Sequence, residues 1–102
     1  MSVLLAALLL AAQAAPSAAD IADGKCVAAM SLLEDQVEEA DKPGLQSTML
    51  FFIGKIAGRS GDAAVGPAVK AGVEALKPDG AGGAAALAEP CADQVQAATK
   101  SM

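Results

Sequence analysis

The stretch Leu45-Gln46-Ser47-Thr48-Met49-Leu50-Phe51-Phe52-Ile53-Gly54-Lys55-Ile56-Ala57-Gly58-Arg59 decides how this chain is read. It is the densest apolar run beyond the N-terminal segment, and it holds both phenylalanines. On a helical wheel Leu45, Met49, Phe52, Ile53 and Ile56 share an arc of about 100°, the width of a core-facing stripe. The run predicts the central helix of a small bundle. Ser47, Gly54 and Gly58 fall on the other side of that wheel. Glycine in a helix interior costs roughly 1 kcal/mol relative to alanine, so two of them four residues apart ask for a packing reason. The expectation is a shallow groove at Gly54 and Gly58 that receives a second helix. Lys55 and Arg59 interrupt the run, and it is too short to span a bilayer, which takes about 20 apolar residues.

The rest of the chain supplies partners for that helix. Upstream, Cys26, Met30, Leu33 and Val37 recur at helical spacing, with Ser31, Asp35, Glu38 and Glu39 opposite them. This predicts an amphipathic first helix with Asp20 or Asp23 as its N-cap, ended by the turn Asp41-Lys42-Pro43-Gly44. Downstream, Gly61 reads as a stop and Asp62 as a new cap. A third helix runs from there to about Lys77, with Val69, Val73 and Leu76 as its stripe and Pro67 in its first turn. Lys77-Pro78-Asp79-Gly80 reads as a turn and Gly80 to Gly83 as flexible. The fourth helix is expected to begin around Glu89-Pro90, with Cys91, Val95, Ala98 and Met102 on one face. No alternating apolar and polar run marks a strand. The predicted fold is all-α: a small four-helix bundle stapled by one disulfide.

Val3 to Ala12 is unbroken Val, Leu and Ala, followed by the small-x-small site Ala12-Gln13-Ala14. It reads as a secretory signal peptide, residues 1–14, leaving a single domain over 15–102. The implied location is periplasmic or secreted. The two cysteines, Cys26 and Cys91, are then an even set in an oxidising compartment and pair only with each other within one chain. Closing a loop of about 65 residues stabilises a fold by roughly 4 kcal/mol in the chain-entropy model. A core built largely from alanine buries little area, so such a staple matters. Metal chemistry is the rival reading, but there is no CxxC motif and no histidine.

Several function classes close. The 102 residues carry 12 acidic and 7 basic side chains, a net charge of −5, and no basic patch, which argues against nucleic acid and anionic membranes. With no His, Tyr or Trp, and with both cysteines expected to be oxidised, catalysis at neutral pH lacks its usual groups. No serine sits in a nucleophile-elbow context and no phosphate-binding glycine motif follows a strand. The chain is therefore expected not to be an enzyme, and no cofactor or metal is expected. The one charge concentration, Glu34, Asp35, Glu38, Glu39 and Asp41, reads as a solvated helix face without calcium-loop spacing.

A Cys-bearing helix, an apolar helix ending FFIGKIAGR, an Ala/Val helix and a late Cys follow one another. This order resembles the HdeA-like periplasmic acid-stress chaperones and related two-cysteine helical proteins of Gram-negative bacteria. Cys26, Phe52, Gly54, Gly58 and Cys91 carry the resemblance. It implies a one-disulfide helical fold without a catalytic site, dimeric at neutral pH, that unfolds in acid and exposes apolar surface. Without histidine, any acid response falls to carboxylates, at about pH 3 to 5. The functional expectation is an exported interaction protein with a protein partner or self-association. Alternatives are a carrier of a small apolar ligand between helices, and an inhibitor or immunity-type binder of a secreted partner. The expected packing residues are Met30, Leu33, Val37, Leu45, Met49, Phe52, Ile53, Gly54, Ile56, Gly58, Val73 and Val95.

Overall fold

The computed structural model describes residues 15–100. The signal-peptide reading of residues 1–14 and the placement of Met102 lie outside the described residues. Four α-helices follow in order: α1 (Ala18–Leu33), α2 (Lys42–Ser60), α3 (Val65–Leu76) and α4 (Gly80–Lys100). Short 3-10 turns join them, and no strand occurs among the described residues. The all-α bundle and its staple are as the sequence predicts: Cys26 and Cys91 form a disulfide.

α1 begins eight residues before Cys26 and ends at Leu33, short of the acidic cluster. Its N-cap is Ser17, whose hydroxyl accepts from the Asp20 amide at 3.1 Å, and not Asp20 or Asp23. Both aspartates lie inside the helix, buried. Val37 does not continue the α1 stripe. It sits in extended backbone after a 3-10 turn, half-buried. Lys42-Pro43-Gly44 opens α2 instead of closing α1, because proline in a first turn gives up an amide that has no helical partner anyway.

α1 is the hub, and it packs most extensively against α3, then α2, then α4. Its crossing with α3 is made of small residues. A Cβ on Gly24 would lie 2.1 Å from the Ala68 carbonyl oxygen, and one on Gly72 would lie 2.5 Å from the Gly24 carbonyl carbon. Ala68, Gly72 and Leu76 are the buried face of α3, and Ala28 and Ala29 are buried opposite. Val73, expected in the stripe, is 37% exposed, because the close approach turns the small residues inward and Val73 out. The groove expected at Gly54 and Gly58 is absent: both are exposed, and a methyl added at either would have nothing within 4 Å.

Two apolar clusters make the core. The first holds Cys26, Val27, Met30, Phe52 and Cys91, lined by Leu45, Met49, Phe51, Ile53, Val69, Leu87, Ala88 and Val95. The second holds Ala28, Ala29, Leu76 and Ala84, with Leu33 and Leu87 against it. Phe52 and Ile56 are fully buried, so the central stripe of α2 is where the sequence places it. α4 is longer than expected. It starts at Gly80, so Gly80 to Gly83 is helical and Pro90 lies inside the helix.

Candidate functional site: a buried charge latch between α1 and α2

The most organised polar constellation joins the first turns of α1 to the last turn of α2. Asp20 and Asp23 are three residues apart on α1, so they project from one face. They are 2% and 5% exposed. Carboxylates are seldom buried this far without partners, and here each has them. Arg59 forks between the two, Nη1 donating to Asp20 Oδ1 at 2.5 Å and Nη2 to Asp23 Oδ2 at 2.8 Å. Ser60 Oγ donates to Asp20 Oδ2 at 2.6 Å. Lys55 Nζ stands 3.2 Å from Asp23 Oδ1.

Local chain geometry sets this array. Arg59 and Ser60 are the last two residues of α2, and Gly61 follows at φ +91°, a conformation glycine reaches without a Cβ clash. The Gly61 amide donates to the Ala57 carbonyl at 2.8 Å, closing the helix end. Lys55, one turn earlier, shares the Arg59 face. Its ammonium lies 5.4 Å from the Phe52 ring centroid and 5.8 Å from that of Phe51, and donates to Gln94 Oε1 of α4 at 3.4 Å. Lys55 therefore touches α1 and α4 from α2, above the apolar cluster that contains the disulfide.

The electrostatics favour the charged state of the pair. The Ser60 hydroxyl, with the Arg59 guanidinium, holds the Asp20 carboxyl below the usual carboxylate range, against the opposing effect of burial. The hydrogen bonds to Asp23 and then Asp20 push the Arg59 guanidinium up. Among the described residues no buried side-chain nitrogen or oxygen lacks a partner, so the latch is saturated. Its chemistry is that of an ionic clasp between α1 and α2. It presents neither an activated nucleophile nor an open ligand position.

Sequence alone offers Asp20 and Asp23 as alternative caps and does not single out Arg59 as their partner. The signal is present in weak form: two aspartates three apart, inside an alanine-rich apolar run, need cations from elsewhere, and the chain has few. The acidic group from Glu34 to Asp41 is on the surface. Its contacts are Lys42 to Glu39 at 2.9 Å and Gln46 to Glu34 at 3.1 Å. Among the described residues no three His, Cys, Asp or Glu side chains are grouped to hold a metal ion, and no helix is long and apolar enough to cross a membrane.

Beside the latch lies a cleft of about 310 Å³ lined by Ala15, Pro16, Ser17, Asp20, Ser60, Ala63, Ala64 and Pro67. A second cleft of about the same volume lies at the other end of α1, between Leu32, Gln36, Leu76, Lys77, Gly80 and Ala84. Comparison of the chain with protein-family models, with curated proteins and with solved structures returns no match.

Proposed function

We propose that this is an exported, non-enzymatic helical protein that loosens in acid and then offers apolar surface to other proteins, an HdeA-like acid-stress role. The observation that carries the reading is the Asp20–Arg59 pair, a buried carboxylate whose charge ties the start of α1 to the end of α2.

In acid the Asp20 carboxylate, held charged at neutral pH by Ser60 and Arg59, takes up a proton. A neutral Asp20 loses its ionic hold on Arg59 in a place with little water to replace it. The disulfide does not titrate, so α1 and α4 stay joined at Cys26 and Cys91 while α2 comes free. The α2 face released carries Phe52 and Ile56, both fully buried at neutral pH, flanked by Leu45, Met49 and Ile53. A chain opened in this way is tethered and apolar on one side. Those are the properties that let a small protein hold an unfolding neighbour.

The test is circular dichroism together with suppression of client aggregation, followed from neutral pH down to about pH 2, a range that crosses the ordinary carboxylate pKa values. The reading expects loss of helix packing and gain of client protection in the same pH interval. A chain that keeps its fold at the acid end and protects no client overturns it.

A further inference from the structure

The geometry points to the cleft between the C-terminal ends of α1 and α3 and the start of α4 as a binding site for a medium-chain fatty carboxylate.

Three features of the cleft support this. Its floor is apolar and fixed: Leu76 is 3% and Ala84 1% exposed, and both belong to the second core cluster. Its wall is a large apolar side chain left in water, Leu32, at 49% exposed. Its polar lining consists of Gln36 and Lys77. A side-chain amide and an ammonium both donate hydrogen bonds, and no carboxylate lines the cleft. The one charged side chain in the lining is the cation Lys77, so an anionic head group is the complementary one. An apolar tail against Leu32, Leu76 and Ala84, with a monoanionic head at Lys77 and Gln36, satisfies every part of that lining.

Lys77 is available for this. It pairs with Glu74 at 2.9 Å, but both side chains are well exposed, and such surface pairs hold weakly. The volume, about 310 Å³, is at the small end of ligand clefts, which limits the tail to a medium chain. The cleft beside Asp20 is no larger, yet both oxygens of its carboxylate are already engaged by Arg59 and Ser60, so it presents an incoming head group with nothing unmet.

The inference does not rest on the acid reading, because the site is formed in the folded state and is tested at neutral pH. Decanoate, below its micelle concentration, is titrated into the oxidised protein, with calorimetry for affinity and amide chemical shifts for place. The expected result is saturable binding with shifts at Leu32, Gln36, Lys77 and Ala84. Lys77→Glu and Leu32→Ser, both at exposed side chains, are each expected to weaken it by about tenfold or more. Gln36→Glu, at a residue outside the α-helices, gives the same answer should either of those fail to fold. Decanol, which has the tail without the charge, is expected to bind more weakly than decanoate. No saturable binding, shifts centred on the Asp20 cleft, equal binding of decanol, or charge-reversed variants that bind as well as the parent would each overturn the assignment.

Discussion

Gly24 of α1 and Gly72 of α3 meet backbone to backbone. A methyl on Gly72 would stand 2.5 Å from the Gly24 carbonyl carbon and 2.6 Å from the Lys25 nitrogen, closer than real Cβ atoms approach. The obstacles are main-chain atoms and cannot rotate away, so α1 and α3 would have to separate. Gly72→Ala and Gly24→Ala are expected to cost about 3 kcal/mol or more, the upper range for overpacking. Gly54→Ala and Gly58→Ala, on the open face of α2, are expected to stabilise by about 1 kcal/mol each through helix propensity alone. Urea unfolding of the four variants checks this. The ranking fails if the two pairs behave alike.

The staple joins residues 65 apart in sequence. Reduction, or the double change Cys26→Ala and Cys91→Ala, is expected to lower stability by about 4 kcal/mol from loop entropy. Both cysteines are also in the first core cluster, so the alanine variant loses some packing besides. Denaturant titrations with and without reductant measure the difference. Identical midpoints would show that the tie contributes nothing.

The acid dependence follows from the sign of the Asp20 shift. Its folded-state pKa is lowered, chiefly by the Ser60 hydroxyl and the Arg59 guanidinium. The stability it confers is complete above the unfolded-state value, about 3.9, and is lost as pH falls through the lowered folded value. Asp20→Asn is expected to destabilise the protein at neutral pH and to flatten the fall in stability below about pH 4. Glu39→Gln, at an exposed carboxylate paired only with Lys42, is expected to leave the profile almost unchanged. Thermal midpoints of the parent and both variants across that interval give the answer. Parallel curves for Asp20→Asn and parent would remove Asp20 from the acid response.

Pro90 sits mid-helix in α4 and has no amide to give the Ala86 carbonyl four residues back. Both positions are exposed, so water can reach that carbonyl. An interior proline costs about 3 kcal/mol against alanine, offset by up to about 1 kcal/mol from its stiffening of the unfolded chain. Pro90→Ala is expected to raise stability by about 2 kcal/mol, the difference between these two effects. Calorimetric melting is the measurement, and an unchanged or lowered midpoint would show that the proline is needed where it stands.

Features legible in the sequence have a local cause. The stripe from Leu45 to Ile56 repeats at helical spacing, and Phe52 and Ile56 are buried accordingly. The fold departs from expectation where one signal has two meanings. Pro90 reads as a helix start because proline favours first turns, yet α4 runs through it from Gly80. Gly54 and Gly58 look like a packing groove because glycine in a helix is costly, but spacing cannot say which pair of glycines meets a neighbour. Gly24 and Gly72 are 48 positions apart in sequence, and nothing in either local context announces the other. Asp20 and Asp23 resemble caps because aspartate favours that position; Ser17 takes it, and the aspartates turn inward to Arg59.

Read in order, the residues alone establish that the chain is helical, where its main apolar face lies, and that Cys26 and Cys91 are mutual partners. Periodicity, composition and parity are properties of a linear string. Which helix is the hub, which glycines touch, and that Lys55 and Arg59 of α2 together neutralise two buried carboxylates at the start of α1 emerge only in the folded molecule. Those are relationships between distant residues, fixed when whole faces compete for the same buried area, and that competition has no counterpart in local sequence.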